Sequence, residues 1–450
     1  MSNVIQAQQP GKARSPTAEI AERVCAVTYE SLDDKAVAAV KLLIADGVAV
    51  AVAGTVEEAP RLVAAHVRDM GCTGKSSVWG FGFLTSPAQA AYANAVSMHV
   101  LDFEPMSSPP THAVSPTVPV ALALAEAMRA SGREIVAACA KGFEMQSRVL
   151  LASSHDRGAL PFHTPGVVGV MGSTVAASHL LQLDAAQLGN ALGIAASRCS
   201  GLPANTGSMV KCTHCGNVAA AGLDAALLSQ RGFVANPGIF EAPHGYVQTF
   251  FPKHFDYGAL FQYGKPFRFV DPGMAIKFYP SKYPTHFGIS AAMELRKAVH
   301  DASAIARVLI DTPDIGDADR PQPRSGLEGK FSFQYTVATA LLDGKVGMDS
   351  FTDERRFSAD MVQLLEKTEL VRDSGPLARH SQYESRGEYY VERRHDAQAR
   401  VQQTPRIVGR ADRSGYSSRQ SDQLSRRATC AAGRCARAWF ARQPRVVVRP

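Results

Sequence analysis

Residues 207–233 read GSMVKCTHCGNVAAAGLDAALLSQRGF. Cys212, His214 and Cys215 crowd together as in half a zinc knuckle, while the rest is a run of small apolar residues closing on Arg231 and Gly232. The two readings lead to different folds. A structural zinc needs four ligands, usually as two close pairs. No second CxxC or HxxxH follows, and Cys199, the nearest other cysteine, stands alone. The spacing instead predicts a helix that binds no metal. Lys211 and His214, at i and i+3, then share one face, and Cys212 and Cys215 share a face about 100° away. In that reading the cysteines pack, and the lysine and histidine converge on a ligand.

The same texture extends outward. Residues 31–54 (SLDDKAVAAVKLLIADGVAVAVAG) offer Ser31 and Asp33 as helix caps, apolar residues at helical spacing and Gly54 as a stop. Residues 115–132 start on Ser115 and Pro116 and stop at Gly132; residues 166–184 and 184–201 are rich in small residues, as suits closely packed helices. The character changes at residues 263–286, YGKPFRFVDPGMAIKFYPSKYPTH, a proline-, glycine- and aromatic-rich junction. A helix (287–301), a strand (305–313) and another helix (331–344) follow, an alternation expected of an α+β unit. The expectation is a mainly α protein: a large all-helical domain over residues 15–265 and a smaller α+β domain over 266–373. From about Ser374 to Pro450 the periodicity fails, and the segment reads as an aberrant Arg-rich tail, disordered or frame-shifted.

Length and composition narrow the class. A chain of 450 residues allows two domains at about 100–200 residues each. The opening MSNVIQAQQPGKARSPTAE lacks the apolar core of a signal peptide, and the apolar run 37–54 carries Lys41 and Asp46, so a buried helix is expected rather than a membrane span. Eight scattered cysteines suit reduced thiols in a cytoplasm. The net charge of +7 is local: from Val371 onward there are 17 arginines and no lysine. It gives no support to a nucleic-acid function for the main body.

Ionisable residues gather in five places. Residues 94–116 hold His99, Asp102, Glu104 and His112 in a proline-punctuated loop before an apolar helix. Asp102 and His112 can face a pocket there; equally, Asp102 can cap a turn and His112 be solvated. His163 precedes a glycine-rich helix, where free N–H groups favour an anion, unless it simply packs. Lys211 and His214 form the third place. Lys277, Tyr279, Lys282, Tyr283 and His286 form a fourth, suited to cradling carboxylates by charge and hydrogen bonding. Tyr335 can donate from the smaller domain or be a core tyrosine. No G-x-G-x-x-G after a strand, P-loop, G-x-S-x-G or H-E-x-x-H occurs. What remains is a cationic, histidine-rich site for small polycarboxylates, with acid–base chemistry and no evident cofactor.

At these residues the chain resembles the MmgE/PrpD family, which includes 2-methylcitrate dehydratase, cis-aconitate decarboxylase and iminodisuccinate epimerase. The stretches are NAVSMHVLDFEP…THAVSPTVPVALALAEA, FHTPGVVGVMGSTVAASHLLQLD, GSMVKCTHCGNVAAAGLDAALLSQRGF, GIFEAPHGYVQTFF, IKFYPSKYPTHFGISAAMEL and FSFQYTVATALLDGKV, in family order. The resemblance implies a homodimer, a helical domain with a smaller α+β lid, a cleft between them and cofactor-independent chemistry. It carries Asp102, His112, His163, Lys211, His214, Lys277 and Tyr335 onto family site positions. The chain departs from the family loop at Pro105 and Met106, and after about Ser374 it is no longer recognisable.

The expected roles follow from the chemistry these reactions share, which loosens a C–H or C–C bond beside a carboxylate. Lys211, Lys277 and His163 bind carboxylates and stabilise developing charge, with His214, Tyr279 and His286 lining the substrate. His112 exchanges the proton, oriented by Asp102, and Tyr335 donates from across the cleft. The leading expectation is a hydro-lyase of the 2-methylcitrate dehydratase type. A decarboxylase or epimerase of a similar acid, and a catalytically defective ligand-binding homologue, are the alternatives.

Overall fold

Caps and glycines place most of the helices. The computed structural model describes residues 15–153, 161–297, 299, 301–312, 318–372 and 445–449. Ser15 caps α1 (Pro16–Ala26). Asp33 accepts a hydrogen bond from the Ala36 N–H at 2.7 Å and opens α2 (Asp34–Gly54). After α3 (Glu58–Asp69) a two-stranded antiparallel ribbon, β1 (Ser76–Val78) and β2 (Phe83–Thr85), leads into α4 (Pro87–His99). Next come α5 (Val114–Met128), α6 (Gly132–Ser153), α7 (Thr164–Leu180), α8 (Ala185–Ala196) and α9 (Val210–Gln230). The expected stop at Gly132 is corrected here. α5 already ends at Met128 because Arg129 turns left-handed (φ 58°), and Gly132 opens α6 instead.

α2 is long and apolar enough, by length and composition, to cross a membrane. In this fold its Ala36, Val40, Leu43 and Ala51 are buried at helical spacing, and it packs on α4, α5 and α6. The 207–233 stretch is indeed a helix, packed along α7 and α4. The approach to α7 needs a glycine: a Cβ on Gly222 would stand 2.6 Å from Ser173 Cβ and 2.9 Å from the Val170 carbonyl oxygen. α7 and α9 thus lie close together, and their first turns meet at the site described below.

Short helices α10 (Tyr246–Phe250) and α11 (Tyr257–Phe261) close the helical part. The smaller unit holds α12 (Thr285–Arg296), α13 (Gly326–Gly329), α14 (Phe333–Asp343), α15 (Asp353–Arg356) and α16 (Ala359–Glu366). Its sheet has the order β4-β3-β5: β3 (Arg307–Thr312) pairs parallel with β4 (Thr368–Arg372) and antiparallel with β5 (Arg445–Arg449). Ile289, Val308, Ile310, Phe333 and Leu364 form a core separate from those of the helical part. The fold is therefore mainly α with a small mixed sheet. Most of the segment from Ser374 to Pro450 lies outside the described residues. Its described piece, Arg445–Arg449, departs from the expectation that it lacks pattern, because the β-branched run Val446–Val448 suits a strand.

Candidate active site

Four segments converge. α4 ends on His99, and the chain then turns sharply at Asp102, which has a left-handed φ of 51°. Such a conformation in a non-glycine residue costs about 1–3 kcal/mol and tends to be held in place at functional sites. The loop is anchored where Met106 pairs with Ala275 across a short β-bridge, and that bridge brings Lys277 beneath Asp102. His163 is the N-cap residue of α7, while Lys211 and His214 lie in the first turns of α9. Gly201 tightens the join: its φ is +107°, its carbonyl accepts the His163 N–H at 2.9 Å, and a Cβ there would sit 3.4 Å from both histidines. The first turns of α7 and α9 therefore meet at one volume.

The side chains form a buried network. Glu104 Oε1 takes His99 Nδ1 at 2.5 Å and Ser115 Oγ at 2.8 Å, and it lies 2.9 Å from His112 Nδ1. Asp102 Oδ1 is 3.0 Å from Lys211 Nζ, 3.4 Å from Lys277 Nζ and 3.4 Å from His112 Nε2. Lys211 Nζ also donates to His99 Nε2 at 3.0 Å, and Lys277 Nζ to the Asp102 and Ser281 carbonyls. His163 Nδ1 meets His214 Nδ1 at 3.1 Å. The His99 and His112 rings are 4.4 Å apart, and His163 lies 5.7 and 6.1 Å from them. The donor–acceptor pattern assigns the tautomer of His99: its Nδ1 carries the proton toward Glu104, and its Nε2 accepts from Lys211.

Electrostatics separates acids from imidazoles. Burial opposes ionisation of Asp102, but the Lys211 and Lys277 ammoniums hold its carboxyl far below the ordinary range. Burial likewise opposes ionisation of Glu104, and the His99 and His112 imidazoles more than offset it. Burial, then Lys211, pushes His99 down to about 3 and His163 well below its usual value. His112 also moves down through burial, although Glu104 and Asp102 pull it the other way. His214 is lowered by burial and then by Lys211; Lys277 is lowered by burial against the pull of Asp102. The resting cluster thus pairs two carboxylates with two ammoniums and keeps its imidazoles neutral.

Six of the residues singled out from sequence meet here: Asp102, His112, His163, Lys211, His214 and Lys277. His286 sits behind Lys277, pushed down to about 3 by burial and then by that ammonium, with Tyr279 5.1 Å away edge-on. Tyr335 does not join them. It is a correction to the sequence reading: its ring is fully buried in the core of the smaller unit, and its hydroxyl donates to the Ser350 carbonyl. The residues whose roles the sequence left unassigned are His99 and Glu104, which orient the others. Lys330 is a further case, 2% exposed and within electrostatic reach of Asp102 and Lys211. The cysteines of the opening stretch pack: Cys212 against Ala59 and Val96, and Cys215 in the main helical core, both with thiols pushed up by burial.

Ligand atoms of His99, His112 and His163 lie within 4.8 Å of one another, as do those of His99, Asp102, Glu104 and His112. A divalent cation there would compete with the Lys211 ammonium, which already occupies His99 Nε2 and Asp102 Oδ1. Chemically, lysines, carboxylates and neutral imidazoles in this arrangement can offset negative charge and pass a proton.

Fold and site together define a mainly α scaffold with a buried cluster of carboxylates, imidazoles and lysines. Residues 18–257 match the MmgE/PrpD N-terminal domain and residues 279–407 the MmgE/PrpD C-terminal domain. The chain belongs to the MmgE/PrpD family. The second match runs past Ser374, where the sequence reading had ended the family segment. Among its relatives is the cis-aconitate decarboxylase of Mus musculus, 31% identical over 372 residues, covering 79% of this chain and 76% of that one. The Homo sapiens cis-aconitate decarboxylase is 30% identical over 373 residues with the same coverage. The cis-aconitate decarboxylase-like protein oryM of Aspergillus oryzae is 25% identical over 386 residues, covering 80% of each chain.

Proposed function

We propose that this chain is a cofactor-independent lyase that decarboxylates a small unsaturated tricarboxylic acid of the cis-aconitate type. The observation that carries the reading is the convergence of Lys211 and Lys277 on one carboxylate beside three imidazoles held neutral in a buried volume. The relatives' activity supports the choice of substrate.

In a substrate whose carboxylate lies β,γ to a C=C bond, the bond to that carboxylate breaks and carbon dioxide leaves. Its electron pair forms a new C=C bond. The displaced π pair moves to the carbon beside a retained carboxylate, where it accepts a proton. Lys211, Lys277 and the N-terminus of α7 suit the retained carboxylates and the enolate-like charge. A water-poor pocket disfavours the hydrated carboxylate that must leave. His112 is the proton donor: it alone of the three imidazoles has both Glu104 and Asp102 within 3.4 Å. Burial keeps it neutral, and the negative charge of a bound polyanion favours its protonated form.

The test is purified protein with cis-aconitate, read by carbon dioxide release and by NMR of the vinylic protons. One equivalent of gas per product supports the reading; no gas under conditions where the protein binds the acid removes it. A hydro-lyase acting on a hydroxylated acid of the 2-methylcitrate type is the second reading. It is favoured by the two carboxylates around His112, which let that imidazole remove a proton as readily as deliver one. Formation of a conjugated acid, followed by its absorbance near 240 nm without gas release, would select it.

A further inference from the structure

The helix that starts at His163 ends near a second polar cleft. His179 lies in the last turn of α7, and at 1.5 Å per residue it stands about 24 Å along the axis from His163. There α1, α7, α6 and the start of α8 enclose a cleft of about 200 Å³. Val24, Val175, Leu183 and Leu188 give it an aliphatic lining, and Lys141, Ser178 and His179 a polar one.

Two polar groups there are buried, one short of a carboxylate partner and one without any partner. Lys141 is 4% exposed, and its amine meets His179 Nδ1 at 3.1 Å. Among the described residues no carboxylate makes an ion pair with it. The acids closest to the cleft are committed elsewhere: Asp184 accepts the Gln187 N–H and Glu134 the Ser131 N–H. Ser178 is 3% exposed, and its hydroxyl has no hydrogen-bond partner. A buried ammonium held only by a neutral imidazole nitrogen and a buried hydroxyl without a partner are each costly, and one carboxylate would satisfy both.

We propose that this cleft is a second ligand site, for a short-chain aliphatic carboxylate. The carboxylate sits on Lys141 and Ser178, and the chain lies along Val24, Val175 and Leu188. The occupant is small, since sites for drug-sized ligands run to about 300–1,000 Å³. Burial moves Lys141 down to about 8 and His179 to about 4, the latter with help from Lys141. The lysine is therefore the charged member of the pair near neutral pH. Free phosphate would use the ammonium but waste the aliphatic lining; a neutral amide would do the reverse.

Calorimetric titration of the full-length protein at pH 7 with butyrate, butyramide and inorganic phosphate tests this. Butyrate is expected to bind saturably, with the other two at least tenfold weaker. K141Q should weaken butyrate at least tenfold, and K211Q, in the histidine cluster, should leave it unchanged. S178L keeps the Lys141–His179 pair and fills the cleft, so it decides the matter even where K141Q does not fold; it should abolish butyrate binding at a near-normal unfolding midpoint. Absence of saturable butyrate binding, equal binding of the three probes, binding that survives S178L, or loss in K211Q would each overturn the proposal.

Discussion

Replacing Asp102 by Asn removes one charge from the centre of the network and almost nothing else. Asn tolerates the left-handed backbone found at this position (φ 51°), and its shape matches. What is lost is the anion that sits 3.0 Å from Lys211 and 3.4 Å from Lys277, all three groups being buried. Breaking a buried ion pair from one side costs about 3–5 kcal/mol. The lower end, about 3 kcal/mol, is expected, because Lys277 keeps two backbone carbonyls and Lys211 keeps His99 Nε2. The assay is urea unfolding, with the loss read from the midpoint at unchanged slope. Turnover should fall about 10²–10⁴-fold as His112 loses its partner. The pH sign follows from the depressed carboxyl of Asp102. Its stabilisation is fully present above the ordinary value of 3.8 and is lost as pH falls below that toward the lower native value. The gap between wild type and variant should therefore hold near neutrality and shrink in acid. D102A should cost about 1 kcal/mol beyond D102N, from the left-handed backbone. A D102N protein within 0.5 kcal/mol of wild type at pH 7, with turnover within threefold, would refute the idea that one carboxylate holds both lysines.

Three further perturbations probe neighbouring parts. His112→Gln should lower kcat about 10²–10⁴-fold with little change in KM; near-normal turnover would exclude His112 as the proton carrier. Asp46 has a buried oxygen without a hydrogen-bond partner, and its carboxyl is raised from 3.8 to about 6 by burial and then by Glu104. A raised acid contributes stability that is present below 3.8 and lost as pH rises through 6, so ionised Asp46 is a burden at pH 8. Asp46→Asn should then exceed wild type by about 1–2 kcal/mol at pH 8, a figure reduced for its partial exposure, and by nothing at pH 4; a pH-independent difference would contradict this. Tyr335→Phe should lose about 1 kcal/mol of stability from the bond to Ser350 and keep turnover within threefold. A hundredfold loss of turnover with unchanged stability would return Tyr335 to the active site.

How much of this was legible depends on whether a residue's role is local. Asp33 as a cap and Gly232 as a terminator act within one turn of helix, and both were readable. Lys211 and His214 share a helix face, so their convergence follows from spacing alone. Their meeting with Asp102 and Lys277 does not: those residues lie 109 and 175 positions apart from their partners, Lys211 with Asp102 and Lys277 with Asp102. A single sequence carries no signal for such pairs; the family resemblance brought them together. Glu104 was visible as a loop acid, but nothing local says that its Oε1 takes donors from α4 and α5 and lies beside His112 of the loop. Tyr335 misled for the opposite reason. A tyrosine in an apolar helix reads alike whether its hydroxyl reaches a pocket or a neighbouring carbonyl, and only packing against Phe351 and the Ser350 carbonyl decides it.

The charge balance of the cluster bears on why its imidazoles are held neutral. Two ammoniums face two carboxylates, so a proton added to His99, His112 or His163 leaves a net positive charge in a buried volume, which burial and Lys211 both penalise. A polycarboxylate entering the site reverses the sign. Its charge would exceed what Lys211 and Lys277 offset, and charging one imidazole becomes the neutralising step. Among the three, His112 gains most from the proton, having carboxylates on both ring nitrogens. On the proposed reading the substrate therefore creates the acid that its own reaction consumes. Burial alone disfavours that imidazolium, so on this reading proton delivery is tied to substrate charge.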